Sequence, residues 1–468
     1  MKRLGLTLAL ALGLLLLGCA TPPAPPEPPV SVAPEATEVP SPVGLRPLQR
    51  MAAQTERIAP VDLPRDMWER IRRGFAMPDL QSELVSDREQ WYSQRPDYIV
   101  RMTERSRKYL YHIVEEIEQR GMPTELALLP FVESAFNPQA VSSAKASGMW
   151  QFMPATGRDF DLKQNVFRDD RRDIQASTRA ALDYLQRLHQ QFGDWHLALA
   201  AYNWGEGNVA RAIARNQKAG LETGYTDLTM PMETRFYVPK LQAIKNIVAK
   251  PKEFRVVLPG IPNHPYFQSV PLPRDMDVAV AAKLAEISVE DFRSLNPSAH
   301  RPVLLAAGSP QILLPWENAE VFQRNYEAFG GARLASWTAW VAPATMKVAE
   351  AAKRVGMSEA SFRQLNSIPP RMLVKAGAVL LIPRGNHQDQ DVASSIADHG
   401  QLALAAESVA AKRAKGKSKA KGKGAQASAS TQGSQGGKKS SPSGASASAS
   451  QGKGHDGRKP PEIGRAHV

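Results

Sequence analysis

Cysteine is almost absent: Cys19 is the only one among 468 residues, so no intramolecular disulfide and no multi-cysteine metal site can form. Long apolar runs are equally scarce. The run from Leu4 to Leu17 follows Lys2 and Arg3 and ends at Gly18-Cys19; it is too short and wrongly flanked for a stable transmembrane helix, and residues 1–18 read as an export signal. Acidic residues are nearly missing from the C-terminal tail. Residues 408–468 hold thirteen Lys or Arg against Asp456 and Glu462, which accounts for +11 of the chain's formal +13 and leaves the remainder close to neutral. The tail also lacks aromatics to stack on bases, and the export signal removes DNA from reach, so nucleic acid is not an expected partner. A weak hold on anionic envelope polymers or headgroups, or simple solubilising disorder, suits a Lys/Ala/Gly/Ser composition. Residues 19–60 are rich in proline and read as a semi-extended tether.

Strand alternation is lacking between Leu63 and Lys252, where helical periodicity dominates. Pro64 fits the first turn of a helix through Met67, Trp68, Ile71 and Phe75, and a second helix is expected from Pro96 to a stop at Gly121. Pro123-Thr124-Glu125 opens a helix that carries Glu133. Asp173 is a candidate N-cap for a helix through Ile174, Ala181, Leu185, Leu188 and Phe192, ended by Gly193-Asp194. A short helix follows from His196 to Asn203, with Gly205-Glu206-Gly207 as the turn. Tyr237 is expected on a helix with Arg235 and Lys240. His189 and His196 lack convergent partners and read as packing residues, so no metal site and no cofactor are expected.

The stretch from Ala127 to Gly157 carries one carboxylate, Glu133, among Leu128, Leu129, Phe131, Val132, Ala135 and Phe136. Such surroundings favour the protonated form, as a general acid working near neutral pH requires. By itself a Glu in apolar company is more often a helix residue at the edge of a core, paired with a cation. The chain is expected to break at Asn137-Pro138 and to pass through a loop of small residues in which Gly148 permits close backbone approach to a ligand. It then re-enters an apolar segment at Met149-Trp150-Gln151-Phe152-Met153, suited to gripping an uncharged sugar chain.

Glu133-Ser134, then Gly148-Met149-Trp150-Gln151, then Ala201-Tyr202-Asn203, closely resembles the lysozyme-like domain of lytic transglycosylases, glycoside hydrolase family 23; Glu233-Thr234-Arg235-Phe236-Tyr237-Val238-Pro239-Lys240 extends the match. A repeat at an offset of 70 follows: Ala282, Ser288, Phe292, Arg293, Leu295 and Asn296 match Ala352, Ser358, Phe362, Arg363, Leu365 and Asn366. Each copy ends in an apolar strand and a proline, at Ile312–Pro315 and Leu380–Pro383. The pattern resembles LysM, a βααβ module that binds N-acetylglucosamine chains. The second copy fits better, with Trp340-Val341 in its first strand, although Ala342-Pro343-Ala344 replaces the usual Gly-Asp. The segment from Glu320 to Gly331 bridges the copies. Leu16-Leu17-Gly18-Cys19 resembles a lipobox, which makes Cys19 the lipidation site.

The resemblance implies a multidomain chain: a mainly α lysozyme-like catalytic domain at 61–255 (core 105–250), two small α+β LysM-like modules at 268–316 and 336–384, and disordered termini. It implies Glu133 as the catalytic acid, with Ser142, Gln151, Met153, Tyr202, Asn203 and Tyr237 lining the saccharide subsites. Tyr202 would hydrogen-bond Glu133 or the sugar, and Asn203 would position an acetamido group or a loop. Lys145 and Ser147 depart from the small residues of the family pattern. Hydrolysis by retention or inversion needs two carboxylates, whereas the matched region offers one. The family's lyase chemistry needs only one, because the C6 hydroxyl of N-acetylmuramic acid attacks its own C1 and leaves a 1,6-anhydro end. Expected partners are peptidoglycan strands and a membrane reached through the lipid anchor, at the periplasmic face of the outer membrane, with the chain a monomer. The alternatives are an inactive wall-binding lipoprotein and a lysozyme-type hydrolase.

Overall fold

The computed structural model describes residues 63–330, 333–385 and 390–407. The export signal, Cys19, the Pro-rich tether to residue 60 and the basic tail at 408–468 lie outside the described residues.

Helices account for the regular structure from Met67 to Ala249. The first, α1 (Met67–Arg73), begins after Asp66, whose carboxylate accepts from Glu69 N; Pro64 lies outside it because the cap is supplied two residues later. Next, α2 (Glu83–Ser93) has no apolar stripe to announce it, with only Val85 and Tyr92 buried. The single helix expected from Pro96 to Gly121 is two, α3 (Pro96–Ser106) and α4 (Leu110–Gln119). At the break the Thr103 carbonyl accepts both the Arg107 amide at 3.2 Å and the buried Ser106 hydroxyl at 2.7 Å, and the Tyr109 amide turns back to the Ser106 carbonyl at 2.9 Å, a 3₁₀-type bond between the two helices. A 3₁₀ turn (Thr124–Leu128) leads into α5 (Leu129–Ser134), with Pro130 in its first turn, and α6 (Pro154–Asp159) follows a long loop. The central helix, α7 (Ile174–Phe192), keeps the expected cap, since Asp173 accepts from the amides of Gln175 and Ala176, and it stops at Gly193 with φ +69°. Asp194 then caps α8 (Trp195–Trp204). Gly205 alone makes the following turn, at φ +94°, and Glu206 already opens α9 (Glu206–Lys218). Last come α10 (Met232–Arg235) and α11 (Tyr237–Ala249). Their apolar faces meet in one core that includes Trp150, Leu185, Leu199 and Ile247. His189 stacks on Trp195 with ring centroids 4.0 Å apart, and His196 bonds the Pro78 carbonyl, so both pack as expected.

Two βααβ modules follow. The first holds β1 (Phe267–Pro271), β2 (Met276–Asp277), α12 (Val278–Leu284), α13 (Val289–Leu295), β3 (Val303–Leu304) and β4 (Gln311–Pro315), with β1 antiparallel to β4 and β2 to β3. The bridging segment is itself a helix, α14 (Asn318–Ala328), whose Ala319 and Phe322 complete the core of the first module. The second module repeats the plan in β5 (Trp337–Val341), β6 (Met346–Lys347), α15 (Val348–Arg354), α16 (Glu359–Asn366), β7 (Met372–Val374) and β8 (Val379–Pro383). After it come α17 (Ser394–His399) and β9 (Leu404–Ala406), and β9 adds a third strand beside β7.

The repeated letters have repeated jobs. Ser288 and Ser358 cap α13 and α16, and Phe292 and Phe362 are fully buried. Each asparagine staples its helix to the last strand: Asn366 Nδ2 donates to the carbonyls of Phe362 (3.1 Å) and Leu381 (3.0 Å), and Leu381 N donates to Asn366 Oδ1 (2.7 Å). Asn296 makes the same three bonds to Phe292 and Leu313. Replacing Asn366 by Ala leaves the Leu381 amide and carbonyl buried without partners, a loss of about 2–3 kcal/mol. Hydrogen exchange at the Leu381 amide should accelerate by about two orders of magnitude, while Leu313, held by the other staple, stays protected.

The modules dock on the helical part through specific bonds. Tyr109 donates to the Ser294 carbonyl at 2.9 Å, and Lys108 pairs with Asp291 at 2.9 Å. Arg301 donates to the carbonyls of Val166 and Leu365, both at 2.7 Å, so one guanidinium joins the helical part to the second module. Between the two modules Arg384 pairs with Asp275 at 3.0 Å, both buried, and the amides of Val392 and Ala306 satisfy the remaining carboxylate valences.

Candidate active site

Glu133 stands in the last turn of α5. The helix stops sooner than the Asn137-Pro138 pair suggested, because Ala135 (φ +51°) and Phe136 (φ +55°) both turn left-handed. Two such residues cost about 1–2 kcal/mol each. Burial of both and the edge-on contact of Phe136 with Phe131, 4.5 Å between centroids, offset that cost. Ser134 Oγ then donates to the Met149 carbonyl at 2.9 Å, which brings the loop of residues 137–153 against the end of α5.

Gly148 shapes that loop. It sits at φ +87°, and a Cβ there would lie 1.9 Å from the Arg171 carbonyl oxygen. The close approach that glycine permits here is to the chain's own backbone at Arg171. Arg171, held in a fork by Asp169 (2.9 and 2.7 Å), donates to the carbonyls of Lys145 (2.7 Å) and Phe152 (3.1 Å). Arg172 donates to Ser147 Oγ at 2.9 Å and to Gln139 Oε1 at 3.2 Å. Ser147, one of the two unusual loop positions, is thus a buried anchor, whereas Lys145 is exposed at φ +72°.

Tyr237, at the start of α11, donates its hydroxyl to Glu133 Oε1. Tyr202 does not bond Glu133: its hydroxyl donates to the Trp150 carbonyl at 2.9 Å, and its ring packs near Tyr184 and Phe152. The difference arises because α8 ends against the Met149–Phe152 segment, while α11 begins facing α5. Asn203 Oδ1 accepts from Thr234 Oγ1 at 2.8 Å, which makes it a loop anchor, and Tyr225 fixes the Thr234 carbonyl in turn. Gln151, at φ +51°, donates to the Gly148 carbonyl at 2.7 Å; Ser142 Oγ accepts from Ala146 N at 3.1 Å; Met153 is exposed. Glu133, Tyr237 and Tyr202 therefore converge, while Ser142, Gln151 and Met153 lie along the loop beside them. Cys19 lies outside the described residues.

Glu133 keeps an open edge, but the protein around its carboxyl excludes most water. Burial pushes it up to about 7, against the lowering effects of the Tyr237 hydroxyl and the Lys240 charge, and the Glu233 charge adds to the rise. Burial and the Glu133 charge hold both phenols well above their ordinary range, so Tyr237 and Tyr202 remain neutral donors. Lys240 and Glu233 belong to the motif already quoted, yet their effect on Glu133 was not legible there, nor were the tie from Ser134 to Met149 and the Arg171–Asp169 fork.

Comparison with known proteins follows the same two-part division. The Transglycosylase SLT domain matches residues 111–223, and the LysM-like domain of lytic transglycosylase MltD matches residues 266–330, the first repeat together with α14. Membrane-bound lytic murein transglycosylase D of Escherichia coli K12 is 38% identical over 261 residues, 56% of this chain and 58% of its own length. A putative tributyltin chloride resistance protein of an Alteromonas species is 40% identical over 169 residues, 36% of this chain and 80% of its own. The chain thus spans little more than half the length of the first of these relatives. A solved lytic transglycosylase Slt from Pseudomonas aeruginosa is 25% identical, covering 31% of this chain and 24% of its own with a TM-score of 0.25, an overlap too small to bear on the fold. The helical part that holds Glu133 thus carries an SLT domain, followed in one chain by an MltD-type LysM-like domain, an order that this chain shares in similarity with lytic transglycosylases.

Proposed function

We propose that this protein is a peptidoglycan lytic transglycosylase that cleaves the β-1,4 bond between N-acetylmuramic acid and N-acetylglucosamine. The observation that carries the reading is a single carboxyl, Glu133, raised to about 7 and gripped by a neutral tyrosine in an SLT fold. Protonated Glu133 gives its proton to the glycosidic oxygen as the C1–O bond breaks. The resulting carboxylate takes the proton of the muramoyl C6 hydroxyl as that oxygen bonds to C1. A 1,6-anhydro end forms, no water enters, and Glu133 is again protonated. Tyr237 holds the carboxylate in place. Tyr202, Asn203 and Gln151 act as positioning residues for the Met149–Phe152 segment and α10, while Ser142 and Met153 line the sugar path. The LysM-like modules hold the enzyme on glycan during wall turnover. Residues 1–18 export the chain, and a lipid on Cys19 tethers it at the periplasmic face of the outer membrane; among the described residues no helix is long and apolar enough to cross a membrane.

Purified peptidoglycan treated with the full chain in detergent tests this by mass spectrometry. Anhydromuropeptides are expected. Products one water heavier would make the enzyme a hydrolase, with Glu233, whose charge reaches Glu133, as the first candidate for the second carboxylate. Pelleting with glycan without any release would leave a binding lipoprotein. Tyr237→Phe supplies a second check. Loss of the hydroxyl removes a bond that lowers the Glu133 pKa, so the alkaline limb of activity should move to higher pH while kcat falls by about tenfold through lost positioning. An unchanged pH profile would remove Tyr237 from the site.

A further inference from the structure

A groove of about 820 Å³ lies between the helical part and the first module, away from the Glu133 carboxyl. One wall is the end of α3 and start of α4, with Arg105, Lys108 and Tyr109; the other is α13, with Val289 and Arg293; the loop that follows Glu133 closes it, from Phe136 to Gln139. Lys108 is committed to Asp291 and Ser294, both at 2.9 Å. The arginines are not. Among the described residues neither has a carboxylate partner, and Arg293 reaches only the Ala299 carbonyl at 3.5 Å. Glu290 is the one acid on the lining, and it is exposed. Val289, also exposed, adds one apolar side chain, whereas Phe136 and Tyr109 are almost wholly buried.

Two guanidiniums on opposite walls, with the exposed Val289 beside them, suit a short peptide with free carboxylates, which Arg can grip in bidentate fashion. They offer an uncharged sugar chain little. Peptidoglycan carries such peptides on the lactyl group of each muramic acid, next to the bond proposed for cleavage. The groove is within reach of that branch: at no more than about 3.5 Å per residue, Pro138 lies within roughly 18 Å of Glu133 along the chain. Gln139 further ties the groove to the catalytic loop through Arg172 and Ser147. We propose that this groove, between α3–α4 and α13, binds the carboxylates of the substrate's stem peptide and so selects peptide-bearing glycan. The proposal rests on the peptidoglycan reading above.

The test compares the full chain with its Arg105→Ala/Arg293→Ala variant on two substrates, glycan that keeps its peptides and the same glycan stripped of them by an amidase. The variant should lose about tenfold in kcat/KM on the first and less than twofold on the second. Equal loss on both, or none on either, would overturn the proposal. A calorimetric titration with a free stem tetrapeptide separates this from the activity itself. Saturable binding to the unaltered chain, weakened by the double substitution and by salt, is expected, and no binding would overturn the groove whatever the activity. If the unaltered chain releases anhydro products from neither substrate, the catalytic reading fails and the titration alone decides the groove.

Discussion

Glu133→Gln should lower release of anhydromuropeptides by about 10³-fold while leaving the fold more stable above pH 7. The loss follows because the amide can neither give the proton to the leaving oxygen nor take one from the C6 hydroxyl. The stability gain comes from the same burial. The carboxyl titrates near 4.5 in the unfolded chain and about 7 in the folded one, so between these values the folded state binds the extra proton and stability falls as pH rises. Below about pH 4.5 both states are protonated and the glutamate imposes no charge penalty. Above pH 7 the buried charge opposes folding by about 3 kcal/mol at full burial, which the open edge of the side chain reduces to about 1–2 kcal/mol. Gln carries no such charge. Melting temperatures of the two proteins should therefore coincide at pH 4.5 and separate by a few degrees at pH 8, with the variant higher. A variant that melts lower at pH 8 would mean the carboxylate is stabilised by its neighbours and is not poised as an acid. Activity of the unaltered enzyme should decline as pH passes 7, as the acid form is lost.

Gly148→Ala should be the most damaging small substitution near the site. Two effects combine there. The φ of +87° is strained for any residue with a Cβ, and the new methyl would overlap the Arg171 carbonyl oxygen at 1.9 Å, a backbone atom that cannot swing aside. Moving Arg171 also displaces the guanidinium that holds the carbonyls of Lys145 and Phe152. A loss on the order of 3–5 kcal/mol is expected, with activity falling further than stability because the Met149–Phe152 segment loses its register against α5. Gly121→Ala is the internal control. It has the same left-handed strain, at φ +62°, but nothing within 4 Å of the new methyl, so it should cost only about 1 kcal/mol. Equal effects of the two substitutions by chemical denaturation would show that backbone strain, and not the contact with Arg171, makes glycine necessary at 148.

Much of the architecture was written in neighbouring residues. The run of α7 from Asp173 to Gly193 could be read from a cap, a period and a stop, and the repeat at offset 70 marked Ser288, Phe292 and Asn296 with their partners before their roles as cap, core and staple were visible. Signals of this kind survive in sequence because capping and periodic burial act within a few residues. Failures came where a helix broke or formed without a local signal. The chain leaves α3 at Ser106, inside what periodicity reads as one helix, and α2 forms with hardly any stripe because its partners are far away in the chain.

The sequence by itself determined the lone acid in apolar company, the helical class of the first part, the paired modules, and the absence of cysteine chemistry outside Cys19. Only the tertiary structure decided that Tyr237, 104 residues from Glu133, is the hydroxyl that holds it, and that Tyr202 turns to the Trp150 carbonyl instead. It alone put the Arg171 backbone against Gly148 and opened a groove between α13 and the helical part. The physical reason is range. Propensity, capping and periodicity are properties of adjacent residues, whereas a hydrogen-bond partner, a steric limit or a raised pKa depends on which distant surface folding brings alongside and how much water it removes.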